Sequence, residues 1–405
     1  MTRSVLAGLC ALAIAGCARE ASTPETPTSE AYPPSPEVRL VATPAGSDSG
    51  RPRLSSTPDG GALLSWSEPA GDGYRLRYAV WADTGWASPQ TADAGADWFV
   101  NWADTPGVAA LPNGLVAHTL VRQPTGGYAY DVRVRLQDGP SWSPPVTPHS
   151  DGTAAEHGFV SVVPVDGRAG LVWLDGREQA GGHGHGGGPM TLRFATLGAD
   201  GRLADEAVLD DRTCDCCPTA AAVTPRGPVV AYRDRSGDEV RDIAVVRRVA
   251  GVWTEPAVVH ADGWKIEGCP VNGPALASVG DRVALAWFTA AASPRVSVAF
   301  SDDAAATFGA PIVLDDSGPL GRVAVAALPS GAAVVGWLDG DGEQAVLRTQ
   351  RVEPDGALGP SLEVARVPGG RATGVPALVA VGETVLVAWT DPEAPAPLRS
   401  AVARL

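Results

Sequence analysis

Cysteine is the residue type whose spacing in this 405-residue chain points most directly to chemistry. Three of the six cysteines fall in one short segment, Cys214-Asp-Cys216-Cys217, and a proline follows it. A fourth, Cys269, is also followed by a proline. Sulfur atoms at this density can ligate a soft metal ion, pair in disulfide bonds or exchange disulfides with another thiol. These four cysteines are therefore the first candidates for a functional site.

Histidine and methionine residues supply further candidate ligands for a metal. His183 and His185 lie in a glycine-rich loop, Met190 closes that loop, and His157 precedes it. Thiolate with imidazole and thioether suits Cu(I), whereas thiolate with imidazole suits Zn(II). A glycine loop without function is the competing interpretation of His183 and His185. Copper or zinc is thus a candidate cofactor, but the spacing matches no standard zinc-finger pattern.

The same cysteines also suit structural disulfide bonds or a thiol-redox role. Exported proteins in an oxidising compartment usually pair their thiols, and four cysteines permit two bonds. A redox role would use a reactive member of the run 214–217. The residue types alone leave metal ligation, disulfide bonds and redox chemistry open, and they identify no catalytic residue.

The N-terminus resembles the signal of a bacterial lipoprotein. Residues 1–16 contain one basic residue and then an apolar run too short to span a bilayer. They lead into Ile14-Ala-Gly-Cys17, which resembles the lipoprotein cleavage box and implies that Cys17 is lipidated. Alanine, not aspartate, follows Cys17, which in that family favours the outer membrane. Residues 17–36 predict a disordered tether, and residues 37–405 the folded domain. An ordinary secretory signal is the alternative.

The folded part contains a repeat of about fifty residues. In each unit an apolar strand ends in an aromatic residue or its equivalent, and these ends are Trp66, Thr119, Trp173, Tyr232, Trp287, Trp337 and Trp389. Consecutive ends lie 50 to 59 residues apart. Short strands at this period, separated by Gly, Pro and Asp turns, predict an all-β protein, a seven-bladed β-propeller. The tryptophans at the strand ends are expected to pack between blades.

The two ends of the folded domain are predicted to meet in one blade. The last unit has room for only three strands. Residues 37–42 resemble the outer strands of other units, and we expect them to supply the missing fourth strand. Six blades with an accessory hairpin is the alternative count.

One segment resembles the Asp-box of sialidase and BNR-repeat propellers. The match covers Ser301, Asp303, Thr307 and Phe308, and it fails at Ala305, where the family has glycine. In that family the box is a structural turn between the third and fourth strands of a blade. The resemblance therefore implies the propeller fold and no catalytic role for these residues.

The repeat assigns matching positions to different blades. Cys214 and Cys269 each lie eighteen residues before a strand end, so they match and would be the favoured pair for a disulfide bond. The positions fifteen residues before the strand ends should ring one mouth of the central channel, where propellers usually bind ligands: Arg51, Asp104, Gly158, Cys217, Asn272, Arg322 and Gly374. We call the face with this mouth the cysteine face. The histidine loop is predicted on the same face.

Carboxylates and tryptophans add tentative ligand-binding residues. A carboxylate lies two residues after the strand end in five units, at Glu68, Asp175, Asp234, Asp339 and Asp391. These groups either cap the following turn or bind a cation near the axis. Trp102 and Trp264 fall in predicted loops on the cysteine face, where an indole can stack on a ligand.

The family resemblance also implies a runner-up function, a sialidase-like glycoside hydrolase acting on an anionic sugar. Sialidases hold the substrate carboxylate with three arginines on this face. Arg51, Arg233, Arg322 and Arg371 lie at or near the predicted mouth. The family's Phe/Tyr-Arg-Ile-Pro motif is absent, however, and its catalytic acid and Tyr–Glu pair have no match that the residues identify. Whether the protein is an enzyme stays open.

Charge restricts the partners. Loss of Arg3 with the signal peptide takes the net charge from −15 to −16, and no basic cluster is present. This composition disfavours nucleic-acid binding. Anionic membrane surfaces would repel the domain, so we expect membrane attachment through the N-terminal lipid only. The sequence thus predicts a monomer anchored in the cell envelope, and its ligand could be a small molecule, a glycan or a protein.

Overall fold

The computed structural model describes residues 1–2, 36–124, 126–179 and 188–405. In this part the chain forms thirty β-strands in seven antiparallel sheets and one short 3-10 helix, Arg371–Thr373. The predicted all-β fold and the count of seven blades are confirmed, and the alternative of six blades is wrong. None of the described residues forms a helix with the length and apolar character that crossing a bilayer requires.

The first strand and the first three blades run to residue 213. Strand β1 (Glu37–Val41) belongs to the last blade. Blade 1 contains β2 (Gly50–Ser56), β3 (Ala62–Ala70), β4 (Gly73–Ala82), β5 (Gly85–Trp86) and β6 (Gln90–Gly95). Blade 2 contains β7 (Gly107–Leu111), β8 (Gly114–Arg122), β9 (Tyr130–Asp138) and β10 (Ser141–Trp142). Blade 3 contains β11 (His157–Val165), β12 (Arg168–Asp175), β13 (Met190–Leu197) and β14 (Leu203–Thr213).

The remaining four blades follow in the same strand order. Blade 4 contains β15 (Ala220–Thr224), β16 (Gly227–Arg233), β17 (Ile243–Val249), β18 (Val252–Trp253) and β19 (Ala257–His260). Blade 5 contains β20 (Ala275–Val279), β21 (Arg282–Thr289), β22 (Arg295–Ser301) and β23 (Ile312–Asp315). Blade 6 contains β24 (Gly321–Ala327), β25 (Ala333–Asp341), β26 (Gln344–Val352) and β27 (Leu358–Pro368). Blade 7 contains β28 (Ala377–Val381), β29 (Thr384–Thr390), β30 (Leu398–Arg404) and β1.

Tryptophans on the second strands fill the space between blades. These strands are nearly continuous apolar runs because both of their faces are buried. The side chains of Trp66, Trp173, Trp287 and Trp337 are at most 1% exposed. Each indole N–H donates a hydrogen bond to a carboxylate, as when Trp173 donates to Asp175 at 2.8 Å. A buried indole keeps its polar group satisfied in this way while its ring packs in the core.

The ends of the domain close the ring as predicted. Strand β1 pairs with β30 in antiparallel register from Glu37 opposite Arg404 to Val41 opposite Ser400. The outer edge of β30 is thereby covered, which removes a row of unpaired backbone groups.

Deletion of residues 37–41 is expected to lower the free energy of unfolding by about 3 kcal/mol, because each lost backbone hydrogen bond contributes about 0.5–1.5 kcal/mol. Urea unfolding of the purified domain measures the change. Glu37→Ala is the control, since the exposed pair of Glu37 with Arg404 at 3.1 Å should contribute less than about 1 kcal/mol. If the deletion variant and the control variant had equal free energies of unfolding, the claim that β1 closes the ring by pairing with β30 would be contradicted.

The Asp-box segment forms the expected turn between β22 and β23. Asp303 accepts hydrogen bonds from the backbone N–H of Thr307 at 2.9 Å and from its hydroxyl at 2.8 Å. The Ser301 hydroxyl accepts the N–H of Ala305 at 2.8 Å. Ala305 has a φ of 61°, in the left-handed region that glycine adopts without strain. The position where the sequence departs from the family motif is therefore one where the turn favours glycine.

Candidate metal centre at the channel mouth

The cysteine segment is the crossover from one blade to the next. Strand β14 ends at Thr213 and β15 begins at Ala220, so the segment joins the outermost strand of blade 3 to the innermost strand of blade 4. Cys269 lies in the matching crossover between β19 and β20. The N–H of Cys214 donates to the carbonyl of Arg233 at 3.0 Å, which fixes the segment to the second strand of blade 4. The two cysteine sites occupy matching places in adjacent blades, as the repeat predicts.

Three cysteines bring their sulfur atoms together. Cys214 Sγ lies 2.7 Å from Cys217 Sγ and 4.0 Å from Cys216 Sγ, and all three sulfurs lie within 4.8 Å of one another. Cys214 and Cys217 are buried, and Cys216 is half-buried. Cys269 is exposed, and its thiol interacts with that of Cys216. All four are free thiols, so the structure does not contain the Cys214–Cys269 disulfide that the repeat favours.

The surroundings of the cluster stabilise one thiolate. Burial opposes ionisation of Cys214, but hydrogen bonds from Cys216 and Cys217, together with the charge of Arg241, hold its pKa well below the ordinary value. Arg241 Nη1 donates to Cys214 Sγ at 3.5 Å. Hydrogen bonding to the Cys214 sulfur raises the pKa of Cys216, and burial raises that of Cys217. The site therefore offers one thiolate and two thiols that a bound metal would deprotonate.

Blade 5 supports the cysteine segment from the other side. Arg233, which is 1% exposed, donates to the carbonyls of Arg241, Phe288 and Asn272 at 2.6, 2.7 and 2.8 Å. Its guanidinium lies 4.7 Å from the centre of the Trp264 ring, so this buried tryptophan packs in the wall between blades. A Cβ on Gly273 would lie 2.0 Å from the carbonyl oxygen of Pro218. Only glycine permits this close approach of the two crossovers.

The other predicted metal ligands are not in the cysteine cluster where the structure describes them. Met190 is fully buried and packs in an apolar cluster with Leu192 and Phe194. His157 is fully buried in a separate group with His149 and Asp131. His183 and His185 lie outside the described residues, as does Cys17, so their predicted roles stay predictions.

The innermost strands enclose a central channel of about 700 Å³. Its wall is mostly small apolar residues, and its charged residues gather at the end where these strands begin. Arg51, Asp104 and Arg322 line that mouth, as the repeat predicts, and Trp102 lines it from a loop. The other four positions that the repeat predicts there are not among the described lining residues: Gly158, Cys217, Asn272 and Gly374. Pro218, which follows Cys217, lines the same end, so the cysteine cluster lies at the rim of the mouth. Arg371 is exposed in the short 3-10 helix and is not among the described residues that line the channel.

The two mouth arginines are positioned by a repeated backbone turn. Arg51 and Arg322 have φ angles of 60° and 53°, in the left-handed region, at a bulge that starts the innermost strand of their blades. Arg51 donates to the Ser67 hydroxyl at 2.7 Å, and Arg322 donates to the Gly370 carbonyl at 2.8 Å. Arg322 also lies 4.8 Å from the centre of the Trp102 ring. Neither arginine forms an ion pair with a carboxylate among the described residues, so both can contact an anionic group.

The remaining predicted ligand residues have local partners. Asp175 accepts from Arg177 through both oxygens at 2.7 Å, and Asp339 accepts from Arg348 at 2.8 Å. Asn272 accepts the backbone N–H of Arg322 at 2.6 Å, which positions that arginine. Burial, opposed by a hydrogen bond from the Arg235 backbone, raises the pKa of Asp234 to about 6. Asp175 also accepts the backbone N–H of Arg177 at 3.1 Å, which is the predicted turn cap, whereas the printed contact of Asp339 is an ion pair with Arg348 on the neighbouring strand.

A carboxyl–phenol–carboxyl group near the mouth is not evident in the sequence. The Tyr130 hydroxyl lies 2.7 Å from Asp104 Oδ2 and 2.8 Å from Glu156 Oε1. Burial raises the pKa of Asp104 to about 6 and that of Glu156 to about 8. Tyr130 is wholly buried, and a Cβ on Gly158 would clash with Asp104. The period of the repeat identifies Asp104 alone, because Tyr130 and Glu156 come from positions that do not repeat.

The raised pKa of Glu156 predicts a pH-dependent stability. Its ordinary value of 4.5 rises to about 8 in the fold, so the protonated carboxyl stabilises the fold below about pH 4.5. That contribution is lost as the pH rises towards about 8. Glu156→Gln should therefore flatten the fall in Tm between pH 5 and 8, as thermal unfolding would measure. Glu267→Gln, on the exposed surface, is the control; the same slope in both variants would contradict the assignment.

Comparisons with known proteins identify the fold and no family. No protein-family model matches the chain, and no curated protein does. A polysaccharide lyase of family PL25, an ulvan lyase, is 12% identical over 91% of this chain and 98% of its own, with a TM-score of 0.53. A protein of unknown function from Dyadobacter fermentans is 13% identical over 91% and 98%, with a TM-score of 0.51. A mutant NanB sialidase from Streptococcus pneumoniae is 10% identical over 92% and 71%, with a TM-score of 0.45. At these identities the likeness to the first two establishes a shared propeller fold alone.

Proposed function

We propose that the protein is a lipid-anchored propeller of the cell envelope that binds a soft metal ion, Cu(I), through the cysteine cluster at its channel mouth. One observation carries the proposal. The sulfurs of Cys214, Cys216 and Cys217 lie within 4.8 Å of one another on a single crossover.

The number and burial of the sulfurs favour Cu(I) over Zn(II). Soft thiolate ligands suit both Cu(I) and Zn(II), so the number of ligands decides between the two ions. Structural Zn(II) sites almost always take four ligands in a tetrahedron. The fourth sulfur, from Cys269, is exposed; it has a hydrogen-bond contact with Cys216 and feels the charge of Cys214, but it does not belong to the group of three sulfurs that lie within 4.8 Å of one another. Arg241, next to Cys214, offsets part of the negative charge that three thiolates around a monovalent ion would carry.

Anaerobic titration of the reduced protein with Cu(I), in competition with a chromogenic Cu(I) chelator, tests this proposal. We expect one equivalent of Cu(I) to move from the chelator to the protein. A variant with the three clustered cysteines, Cys214, Cys216 and Cys217, replaced by serine should take none. No transfer to the fully reduced wild-type protein would contradict the proposal.

Thiol–disulfide chemistry is the principal competing account of the same residues. Cys214 and Cys217 stand in a Cys-X-X-Cys arrangement with sulfurs 2.7 Å apart, and such pairs often cycle between dithiol and disulfide. The titration, run beside an assay with a model disulfide, separates the accounts, because a redox dithiol would reduce that disulfide, become a disulfide itself and take up no copper.

A second candidate function is cleavage of an anionic sugar chain at the mouth. Its support is the Asp104–Tyr130–Glu156 group, whose two carboxyls have a raised pKa, together with the position of Asp104 on the same channel mouth as Arg51 and Arg322. Carboxyls with a pKa near neutrality suit general acid catalysis. The ulvan lyase that shares this fold is a polysaccharide lyase, and one of its structures has -[GlcA(1-4)Rha3S]- bound. Turnover of sialosides or uronate-containing polysaccharides by the wild type, lost in Asp104→Asn, would support it; no turnover would exclude those substrates.

The lipid anchor makes a separate prediction. Cys17→Ala should abolish labelling of the protein by a tagged fatty acid and release it from the membrane fraction, because the acylated residue would be absent. Cys10→Ala, inside the signal segment, is the matched control and should leave labelling unchanged. Fractionation of cells that express each variant measures the outcome, and an unlabelled wild type would contradict the anchor.

A further inference from the structure

The four cysteines of the described residues form a row of sulfur atoms that runs from the surface into the protein. Cys269 is exposed, and Cys216 is half-buried. Cys214 and Cys217 are each 1% exposed. The outer end of this row can meet a molecule from solution, whereas the two inner sulfurs cannot. The row therefore joins an accessible pair of thiols to a buried pair.

Each sulfur in the row lies near the next one. The Cys269 thiol has a hydrogen-bond contact with the Cys216 thiol. Cys216 Sγ lies 4.0 Å from Cys214 Sγ, which lies 2.7 Å from Cys217 Sγ. Gly273 supports the first contact, because a residue without a side chain lets the crossover of Cys269 approach the crossover of the other cysteines. Thiol–disulfide exchange needs such an approach of sulfur to sulfur at every step.

The sulfurs of the buried pair, Cys214 and Cys217, are too close to share one ion and too far apart to be bonded. Two sulfurs bound to one ion at about 2.3 Å, with a tetrahedral angle between them, are about 3.8 Å apart. A disulfide bond is about 2.05 Å long. From 2.7 Å, the two sulfurs must move apart to share an ion and move together to form a bond. Metal ligation and disulfide formation thus exclude each other at this pair.

An arginine contacts the sulfur in the middle of the row. Arg241 Nη1 donates to Cys214 Sγ at 3.5 Å, and its Nη2 donates to Glu239 at 2.8 Å, so the guanidinium is held in place. A positive charge beside a sulfur stabilises the negative charge that this sulfur carries during exchange. Cys214 is therefore suited to react with the sulfurs on both of its sides.

We propose that the four cysteines form a thiol–disulfide relay, which passes oxidation from the exposed Cys216–Cys269 pair to the buried Cys214–Cys217 pair. The oxidant is a low-molecular-weight disulfide such as oxidised glutathione. The effect of the relay on copper rests on the proposed function, because the buried disulfide removes two ligands and releases Cu(I). The relay differs from the competing redox account in that the same sulfurs bind copper while they are reduced.

Each step exchanges one disulfide for another, so atoms and electrons balance. Cys269 attacks oxidised glutathione and forms a mixed disulfide, and the first reduced glutathione leaves with the proton of the attacking thiol. Cys216 attacks the Cys269 sulfur of this mixed disulfide, which releases the second reduced glutathione. Cys214 then attacks Cys216 and frees the Cys269 thiol. Cys217 attacks Cys214 and frees the Cys216 thiol. A second oxidised glutathione converts the exposed pair to a disulfide again.

Anaerobic reaction of the reduced, copper-free protein with oxidised glutathione tests the relay. With one equivalent of oxidant, we expect the buried pair to become resistant to alkylation while Cys216 and Cys269 stay free. With two equivalents, all four sulfurs should be protected from alkylation. Mass spectrometry of the alkylated protein, with fragmentation of the cysteine peptides, measures which sulfurs are paired.

Cys216→Ser removes the step between the exposed sulfur and the buried pair. We expect glutathione to stay attached to Cys269 in this variant. Oxidation of the buried pair should slow by more than about tenfold, because exchange depends on access to the attacked sulfur. Glu267→Gln, an exposed change on the crossover of Cys269, is the matched control and should react like the wild type.

A second variant tests the buried end of the row. Cys217→Ser keeps the exposed pair but has no sulfur to complete the buried disulfide. It should consume one equivalent of oxidised glutathione where the wild type consumes two. Circular dichroism confirms that the variants are folded.

Titration with Cu(I) separates the relay from the proposed function. Protein oxidised with two equivalents should take up no Cu(I), and protein loaded with Cu(I) should keep the buried pair unbonded. If the reduced protein binds no Cu(I) but forms the two disulfides, the proposed function fails and the relay stands. Two results would overturn the relay: a Cys214–Cys269 bond in the wild type, or oxidation of the buried pair in folded Cys216→Ser at the wild-type rate.

Discussion

Replacing Cys214 with serine is expected to lower the affinity for Cu(I) by more than about 100-fold. Loss of an outer contact in a metal site already costs about 10–100-fold, and this substitution removes a direct ligand. Cys214 is the sulfur that lies within 4.0 Å of both neighbours, and it is the one held as a thiolate beside Arg241. Serine has nearly the same shape but offers a hard, protonated oxygen that a soft ion disfavours. Competition titration with a Cu(I) chelator measures the change.

Cys269→Ser is the matched control for this prediction. Cys269 is exposed and lies outside the group of three sulfurs, with one hydrogen-bond contact to Cys216, so its loss should cost less than about tenfold. Wild-type affinity in Cys214→Ser, or equal losses in the two variants, would show that the buried sulfurs do not hold the ion.

Replacing Arg233 with methionine should lower the free energy of unfolding by about 4 kcal/mol. The guanidinium is buried and satisfies three carbonyls, those of Arg241, Phe288 and Asn272. Methionine keeps much of the apolar contact with Trp264 but leaves these carbonyls without a donor, and each buried unsatisfied group costs about 1–3 kcal/mol. Chemical unfolding followed by tryptophan fluorescence measures the loss.

An arginine on the surface of the same blade provides the comparison for Arg233. Arg226 is 52% exposed and pairs with Asp281 at 3.1 Å, so Arg226→Met should change stability by less than about 1 kcal/mol. If Arg233→Met were no more destabilising than Arg226→Met, the wall between blades 4 and 5 would not depend on this residue.

The parts of the fold that repeat could be predicted from the sequence. The period that ends in Trp66, Trp173 and Trp337 reflects a strand buried on both faces in every blade, so the residue pattern carries the architecture. The same period placed Cys214 and Cys269 in matching crossovers and Arg51 and Arg322 at the channel mouth. Because repeated units place equivalent residues at equivalent positions, spacing along the chain predicts where these residues lie.

The groups of side chains that occur once in the ring, and do not recur from blade to blade, could not be predicted. His149 and Asp151 lie in a single loop, and they meet His157 and Asp131 only because two neighbouring blades bring them together. The Tyr130 contact with Asp104 and Glu156 has the same origin. The sequence also joined His157 to the cysteines, whereas the structure groups it with carboxylates. The direction in which each side chain points decides these groupings, and the spacing of residues along the chain does not predict that direction.

The metal content and thiol state of the protein isolated anaerobically from the cell envelope test the central claim most directly. The account predicts about one copper ion per chain, in line with three soft thiolate ligands, and reduced Cys214, Cys216 and Cys217 once the copper is removed by a chelator. Elemental analysis and mass spectrometry after thiol alkylation measure both quantities on one sample. Protein without copper whose four cysteines are all oxidised would contradict the account.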